Sequence, residues 1–302
     1  MKKIFSIFGP TGIGKSSLSI KLAKKINGEI IGVDSRQIYD RIPIGTAQPS
    51  KKQLHEIPHH LIGFKDLNER ISSGEYLELI DSKIEDIISR KKSPILCGGT
   101  GLYFKSLIEG IFKGSHTNFK IREKLESDYK NDKLKLYNKL KEIDPEYYEK
   151  VHINNKKRLI RALEIFETTG IPISKNFNLQ SKKSKYSDDH YFIYLTSDNS
   201  FLHPRIEKRL NEMIENGMIE EVKSIISQDI DIEHIDYIGF KELKEYLDKK
   251  ISIEEAFERI FIRTRQYAKR QNKWFRSNKY DISFNIEKIS SNDIVDKLIQ
   301  IN

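Results

Sequence analysis

Residues 9–16 read GPTGIGKS, which sets Gly9, Gly14, Lys15 and Ser16 at the spacing of a phosphate-binding loop. Such a loop needs a strand before it and a helix behind it, and both are legible. KIFSIF (residues 3–8) is a short apolar run of β-forming residues. SSLSIKLAKKI (residues 16–26) places Leu18, Leu22 and Ile26 at helical spacing. In this arrangement successive backbone N–H groups point inward and the helix N-terminus adds partial positive charge. Lys15 neutralises phosphate oxygens, and the Ser16 hydroxyl can ligate Mg²⁺. The expected ligand is a di- or triphosphate held by Gly9, Pro10, Thr11, Gly12, Ile13, Gly14, Lys15 and Ser16. The loop alone does not say which one.

Outward from this loop, GEIIGVD (28–34) reads as a second buried strand ending in an acid, and SPILCGG (93–99) as a third, followed by a helix from about Leu102. Strands alternating with helices predict an α/β fold, a parallel sheet with helices on both faces. Ligands of such sheets sit at the carboxyl ends of the strands. Loop 9–16, Asp34 and Thr100 each lie at or just past a strand end, so they are expected to converge on one crevice. The third strand ends in CGGTG with no acid, where a nucleoside triphosphatase of this class normally carries one. Asp34 is placed to meet a second substrate beside the phosphates, an argument that leaves small-molecule phosphoryl transfer open. Its other reading is Mg²⁺ ligation or capping of the next segment. Thr100 can hold a substrate oxygen or amine, or cap the helix that follows.

From Ser115 to Asp189 strand-like runs vanish and helical patterns take over: Ile121 and Leu125, then Leu136, Leu140 and Ile143, then Leu159, Leu163 and Phe166, stopped by Gly170 and Pro172. This stretch carries more than half of the chain's net charge of +9. The expected organisation is a core of residues 1–114 and 190–302 with a basic helical insertion at 115–189. HYFIYLTS (190–197) restores a strand, and a helix is expected from Pro204 to Gly217 with Arg205 and Arg209 one turn apart. A last long helix opens with the capping box Ser252 to Glu255. Arg259, Arg263, Arg265, Lys269, Arg270, Lys273 and Arg276 crowd it, interleaved with Tyr267, Trp274 and Phe275, a pattern that favours nucleic-acid contact. Trp274 fits core packing and base stacking equally. His59 and His60 lack the supporting ligands of a metal site and are expected to pack or hydrogen-bond. One cysteine in 302 residues excludes an internal disulfide and fits a reducing cytoplasm. No apolar run approaches a membrane span. The apolar stretch of MKKIFSIFG is too short for a signal peptide and runs straight into the phosphate loop.

Seven segments in order carry a resemblance that extends along nearly the whole chain. They are GPTGIGKSS, VDSRQIYDRIPIGTAQP, PHHLIGF, GGTGLYFKSLIEG, KRLIRALEIFETTG, DYIGFKEL and RTRQYAKRQNKWF. Together they resemble the tRNA dimethylallyltransferases, also called tRNA isopentenyltransferases. The likeness is weakest over 174–189 and at the extreme C-terminus, and Gln48 stands where the family often has a basic residue. The resemblance implies a phosphate-loop α/β core with a helical insertion. It implies transfer of a dimethylallyl group from dimethylallyl diphosphate, with Mg²⁺, to N6 of the adenosine next to the anticodon of a tRNA. Asp34, Thr100, Lys15 and Arg209 are then the catalytic residues, with Arg205 assisting at the diphosphate. Ser35, Arg36 and Gln37 contact the RNA near the reactive base, together with Tyr237, Ile238, Gly239, Phe240 and Lys241. Arg122, Lys157, Arg158 and Arg161 contact the anticodon stem-loop from the insertion. A cytoplasmic monomer is expected. The rival readings are a small-molecule kinase, an adenylate isopentenyltransferase acting on free nucleotides, and a nucleotide-gated RNA-binding module without catalysis.

Overall fold

A computed structural model of the chain describes residues 3–112, 117–176, 181–182, 184–228, 230, 232–235 and 237–301. It divides into two compact units. The first comprises Met1–Arg70, Leu79–Lys105 and Tyr186–Asn302, and the second Ile71–Glu78 and Ser106–Lys185. The insertion expected at 115–189 lies mostly in the second unit, which begins earlier, at Ser106, and also takes in Ile71–Glu78.

The chain opens with β1 (Ile4–Phe8), α1 (Lys15–Ile26), β2 (Gly28–Val33), α2 (Lys51–Glu56) and β3 (His59–His60). Next come α3 (Ser73–Ser89), β4 (Ser93–Gly98) and α4 (Gly101–Glu109). The second unit holds β5 (Ile111–Phe112), α5 (Phe119–Ile143), α6 (Pro145–Tyr148), α7 (Lys156–Thr169), α8 (Ile173–Asn176) and β6 (Ser181–Lys182). The first unit resumes with β7 (His190–Thr196), α9 (Asn199–Glu215), α10 (Met218–Ser227) and α11 (Phe240–Leu247). It closes with α12 (Ile253–Arg276), β8 (Ile282–Asn285) and α13 (Ser291–Ile301).

Six strands form one sheet in the order β3-β2-β4-β1-β7-β8, every pair parallel. β1 is buried throughout because both of its faces are covered. Phe5 and Ile7 pack with Leu18 and Leu22 of α1 and Ile294 and Leu298 of α13. On the other face Phe8 meets Phe104 of α4, Phe275 of α12 and Tyr194 of β7, at ring-centroid distances of 5.1, 4.9 and 5.7 Å. This aromatic layer seats α12 over the carboxyl ends of the central strands.

The sequence expects α9 to open at Pro204, but the helix starts at Asn199, with Pro204 inside it. The buried stripe Leu202, Ile206 and Leu210 runs through the proline and outweighs its missing N–H donor. In the second unit the two expected helices are joined as α5, with non-helical backbone at Asp132, whose carboxylate accepts the N–H of Lys135 at 3.0 Å and so caps the second half. The second unit also contains a short antiparallel pair, β5 with β6, where no strand is expected from the sequence. His59 and His60 form an edge strand. Nδ1 of His59 lies 2.7 Å from the Ile57 carbonyl, and Nε2 of His60 lies 2.7 Å from the buried carboxylate of Glu29. Hydrogen bonds from Arg90, then Lys92 and His60, hold the Glu29 carboxyl far below the usual carboxylate range. No group of three or more His, Cys, Asp and Glu side chains suited to a metal occurs among the described residues. Among them, no helix is long and apolar enough to cross a membrane.

Candidate active site

The loop between β1 and α1 turns into the helix through Gly14, the N-cap, at φ +101°, a conformation that favours glycine. Nζ of Lys15 donates to the carbonyls of Gly9 and Pro10, 2.9 Å each. Burial pushes the Lys15 ammonium down to about 8; Cys97 and Asp34 oppose that shift, and the Arg209 charge adds to it. Ser16 is exposed on the first turn of α1.

Two arginines of α9 reach the loop. Nη1 of Arg209 donates to Oγ1 of Thr11 at 2.9 Å, and Nε of Arg205 donates to the Gly12 carbonyl at 2.8 Å. Arg205 also lies over the Phe201 ring, 5.6 Å from its centroid. Burial pushes the Arg209 guanidinium downward, and Asp34 counters this. The two residues thus differ: Arg209 lines the pocket and Arg205 braces the loop backbone from outside it.

Asp34 follows the last residue of β2, and its Oδ1 accepts the Arg36 N–H at 3.0 Å. The same residue also lines the cavity. Thr100 serves the same turn: its Oγ1 accepts the Ser35 N–H at 2.9 Å and lies 3.3 Å from Ser35 Oγ. Arg36 lies over the Tyr267 ring at 5.0 Å and donates from Nη1 to the Tyr267 hydroxyl at 3.2 Å. Gln37 donates from Nε2 to the carbonyls of Thr46 and Ala47, at 3.1 and 2.7 Å.

Thr11, Lys15, Ser16, Asp34, Arg36, Gln37, Arg209, Tyr237 and Ile238 therefore border one cavity within the first unit. Asp34 is the one carboxylate among its described lining residues. Ile13 is buried in the core beneath the loop. Tyr237 is also buried, and its hydroxyl donates to Glu221 at 2.8 Å. Gly239 is the buried N-cap of α11, Phe240 is half-buried, and Lys241 is exposed 3.9 Å from Glu245.

The cations of the insertion separate into two kinds. Arg122 donates from Nη2 to Oε2 of Glu164 at 2.6 Å, and Nη1 of Arg161 lies 3.0 Å from Glu164 Oε1. Glu164 is 0% exposed, so these two arginines neutralise an internal carboxylate that would be costly to leave alone. Both arginine side chains stay partly exposed, at 29% and 26%. Lys157 and Arg158 are exposed at the start of α7. The basic helix α12 is similarly divided. Arg259 pairs with Glu245 and Glu255, and Arg263 with Glu242. Lys269, Arg270, Lys273 and Arg276 are exposed toward its C-terminal end. Trp274 is half-buried: its ring meets Phe275 edge-on at 5.2 Å and lies where a Cβ on Gly101 would come within 2.5 Å of it.

Gln271 is the residue that sequence reasoning passes over. From the buried face of α12 its Oε1 accepts the Thr11 N–H and its Nε2 donates to the Gly99 carbonyl, 2.9 Å each. One amide thus ties the phosphate loop to the end of β4. The available signal is a polar residue in register with Ala268 and Phe275 on an apolar helix face. Replacing Gln271 with leucine is expected to leave both backbone groups unpartnered. The expected cost is about 2 kcal/mol in stability, read by urea denaturation, with a weakened grip on inorganic diphosphate, read by calorimetry.

Comparison with known proteins adds an independent line. A family model described as IPP transferase matches residues 37–278. The tRNA dimethylallyltransferase of Bacillus mycoides (strain KBAB4) is 41% identical over 286 residues, 94% of this chain and 89% of that protein. That of Pelagibacter ubique (strain HTCC1062) is 43% identical over 281 residues, covering 91% and 88%. Among solved structures, the tRNA isopentenylpyrophosphate transferase of Bacillus halodurans superposes with a TM-score of 0.71 at 34% identity, covering 100% of this chain and 97% of that one. A eukaryotic dimethylallyltransferase described as acting on tRNA gives 0.83 at 34% identity, covering 99% and 80%. With residues of the phosphate loop, Asp34, Tyr237 and Ile238 on one crevice, and with relatives matched over most of their length, the chain belongs to the IPP transferase family.

Proposed function

We propose that this protein transfers a dimethylallyl group from dimethylallyl diphosphate to N6 of the adenosine adjacent to the anticodon of a tRNA, releasing diphosphate. The observation that carries this reading is the lining of the cavity, which brings the cations Lys15 and Arg209 together with a single carboxylate among its described residues, Asp34. Cleavage of an allylic C–O bond leaves positive charge shared across the allyl system and negative charge on the departing diphosphate. Lys15, Arg209 and the loop N–H groups stabilise that developing negative charge. The nucleophile is an exocyclic amine whose lone pair is delocalised into adenine. Asp34, oriented by the Arg36 N–H, accepts a hydrogen bond from N6–H and takes the proton as the N–C bond forms. The electron pair of the broken C–O bond leaves with the diphosphate.

The donor set suits Mg²⁺, which binds through few protein oxygens together with substrate phosphates. Ser16 and the diphosphate itself would hold it, and when bound it supplies further positive charge to the leaving group. The RNA approaches on this reading over the exposed cations of α12, with the target adenine unstacked to reach the pocket; Lys157 and Arg158 are exposed cations of the second unit that suit the same ligand. We take the acting species to be a cytoplasmic monomer.

A pH dependence follows from Lys15. In the free protein its ammonium titrates near 8, and a bound diphosphate raises that value by favouring the charged form. The Lys15 contribution to diphosphate affinity is therefore full below about pH 8 and falls as pH rises through it, by up to about tenfold per unit. Isothermal calorimetry between pH 7 and 10 on wild type and Lys15→Met checks this: the ratio of the two affinities is expected to fall with pH, the diphosphate's own titration being common to both.

The function is tested with purified protein, Mg²⁺ and dimethylallyl diphosphate labelled in the allyl group, offered an unmodified tRNA, AMP or ATP. Label entering the tRNA with equimolar diphosphate release is expected. Label entering AMP would indicate an enzyme of free nucleotides, and phosphate release from ATP without RNA labelling would indicate a kinase-type site.

A further inference from the structure

Glu221, on the first turns of α10, belongs to none of the motifs discussed above, yet three donors converge on it. Its Oε2 accepts the Ile44 N–H at 2.8 Å, and its Oε1 accepts the Gly45 N–H at 2.9 Å and the Tyr237 hydroxyl at 2.8 Å. Two segments of the cavity wall, one around Gly45 and one around Tyr237, are thereby pinned to a single carboxylate. The fit is close: a Cβ on Gly45 would overlap the Tyr237 phenol and force it to move. Gly45, Thr46 and Ala47 line the cavity beside Tyr237 and Ile238.

The wall is continuous with the segment that bears Asp34. Gln37 grips the carbonyls of Thr46 and Ala47, and the same segment begins with Asp34 receiving the Arg36 N–H. The phosphate end of the cavity is organised separately, by Thr11, Lys15, Arg209 and Gln271, none of which bonds to Glu221 in the contacts described. Burial pushes the Tyr237 hydroxyl well up, so it stays a donor to Glu221 across the working pH range.

We propose that Glu221 is a positioning residue for the acceptor: by fixing the Gly45 and Tyr237 wall against the Asp34 segment, it sets where the acceptor base lies relative to the Asp34 carboxylate. It acts through Gly45 and Tyr237 rather than on the substrate. The proposal rests on the transfer reading given above, in which Asp34 meets the amine.

The test uses Glu221→Gln, which replaces one acceptor oxygen with an NH₂ group facing backbone donors, and Tyr237→Phe, which removes only the phenol and keeps its packing. The readouts are kcat and KM for the tRNA, equilibrium affinity for inorganic diphosphate without RNA, and melting temperature. Glu221→Gln is expected to lower kcat/KM for tRNA by at least about tenfold, the size of losing a hydrogen bond to a charged group. Tyr237→Phe is expected to act in the same direction by about threefold or more, and diphosphate affinity is expected to stay within about twofold in both. Two results overturn the proposal: tRNA kinetics unchanged in both variants, or diphosphate affinity falling in parallel with tRNA kinetics, as general loosening of the fold would cause. If the wild-type protein transfers nothing, the transfer reading itself fails, and this proposal with it. Should Glu221→Gln not fold, Tyr237→Phe decides alone by the same criteria.

Discussion

Asp34→Asn is expected to slow transfer into tRNA by about 10³-fold, within the range supplied by a positioned general base. The substitution is chosen because it separates basicity from architecture. Asparagine keeps an Oδ1 that can accept the Arg36 N–H, now at 3.0 Å from the carboxylate, so the turn after β2 is retained. What is lost is the group that takes the N6 proton in the proposed mechanism, together with the negative charge near Lys15 and Arg209. Diphosphate affinity is therefore expected to hold or rise slightly, while the single-turnover rate falls. Rapid-quench kinetics with saturating tRNA read the rate, and calorimetry reads the affinity. A rate within tenfold of wild type would remove Asp34 from the proton transfer.

Gly98→Ala is expected to cost more than about 3 kcal/mol and to leave little folded protein, as overpacking does where neither side can retreat. Gly98 ends β4, between β2 and β1, in register with Val33 and Phe8. A Cβ there would run into the Val33 carbonyl and come within 2.8 Å of Val33 Cα. Both strands are interior to the six-stranded sheet, so relief has to push Val33 aside, and Asp34 moves with it. Any protein that does fold is thus expected to transfer poorly. Gly74→Ala is the control: its nearest neighbour lies 3.8 Å from the added atom, in ordinary contact. Urea denaturation of the two variants checks the contrast, and equal midpoints would contradict the steric argument.

The parts of this molecule that were legible in its sequence are those whose signals are local. The phosphate loop, its strand and its helix occupy one continuous stretch of sequence, and Asp34 and Thr100 are readable as strand ends because each strand is a short buried run. The heptad-like spacing of Leu159, Leu163 and Phe166 before Gly170 likewise marks α7 and its left-handed C-cap. Strands β3 and β8 left no such trace: β3 is two residues long, and β8 is a four-residue strand at the sheet edge that is only partly buried. Pro204 misled because a local rule about helix starts met a buried stripe that extends to both sides of it. Gln271 and Glu221 were invisible for a different reason. Each acts on backbone groups far away in sequence, and such pairings exist only once the sheet order has brought α10 and α12 to the crevice. The pairing of Arg122 and Arg161 with Glu164 was hidden for the same reason, since nothing in the neighbouring sequence reveals that Glu164 is buried between them.

The most direct test of the account is mass spectrometry of the nucleosides from an unmodified tRNA with adenosine beside its anticodon, after incubation with the protein, Mg²⁺ and dimethylallyl diphosphate. The account predicts one adenosine per tRNA heavier by a dimethylallyl group, located next to the anticodon and absent when Asp34→Asn replaces the wild type. A tRNA whose adenosines are all unchanged, with the wild-type protein folded and binding diphosphate, would contradict it.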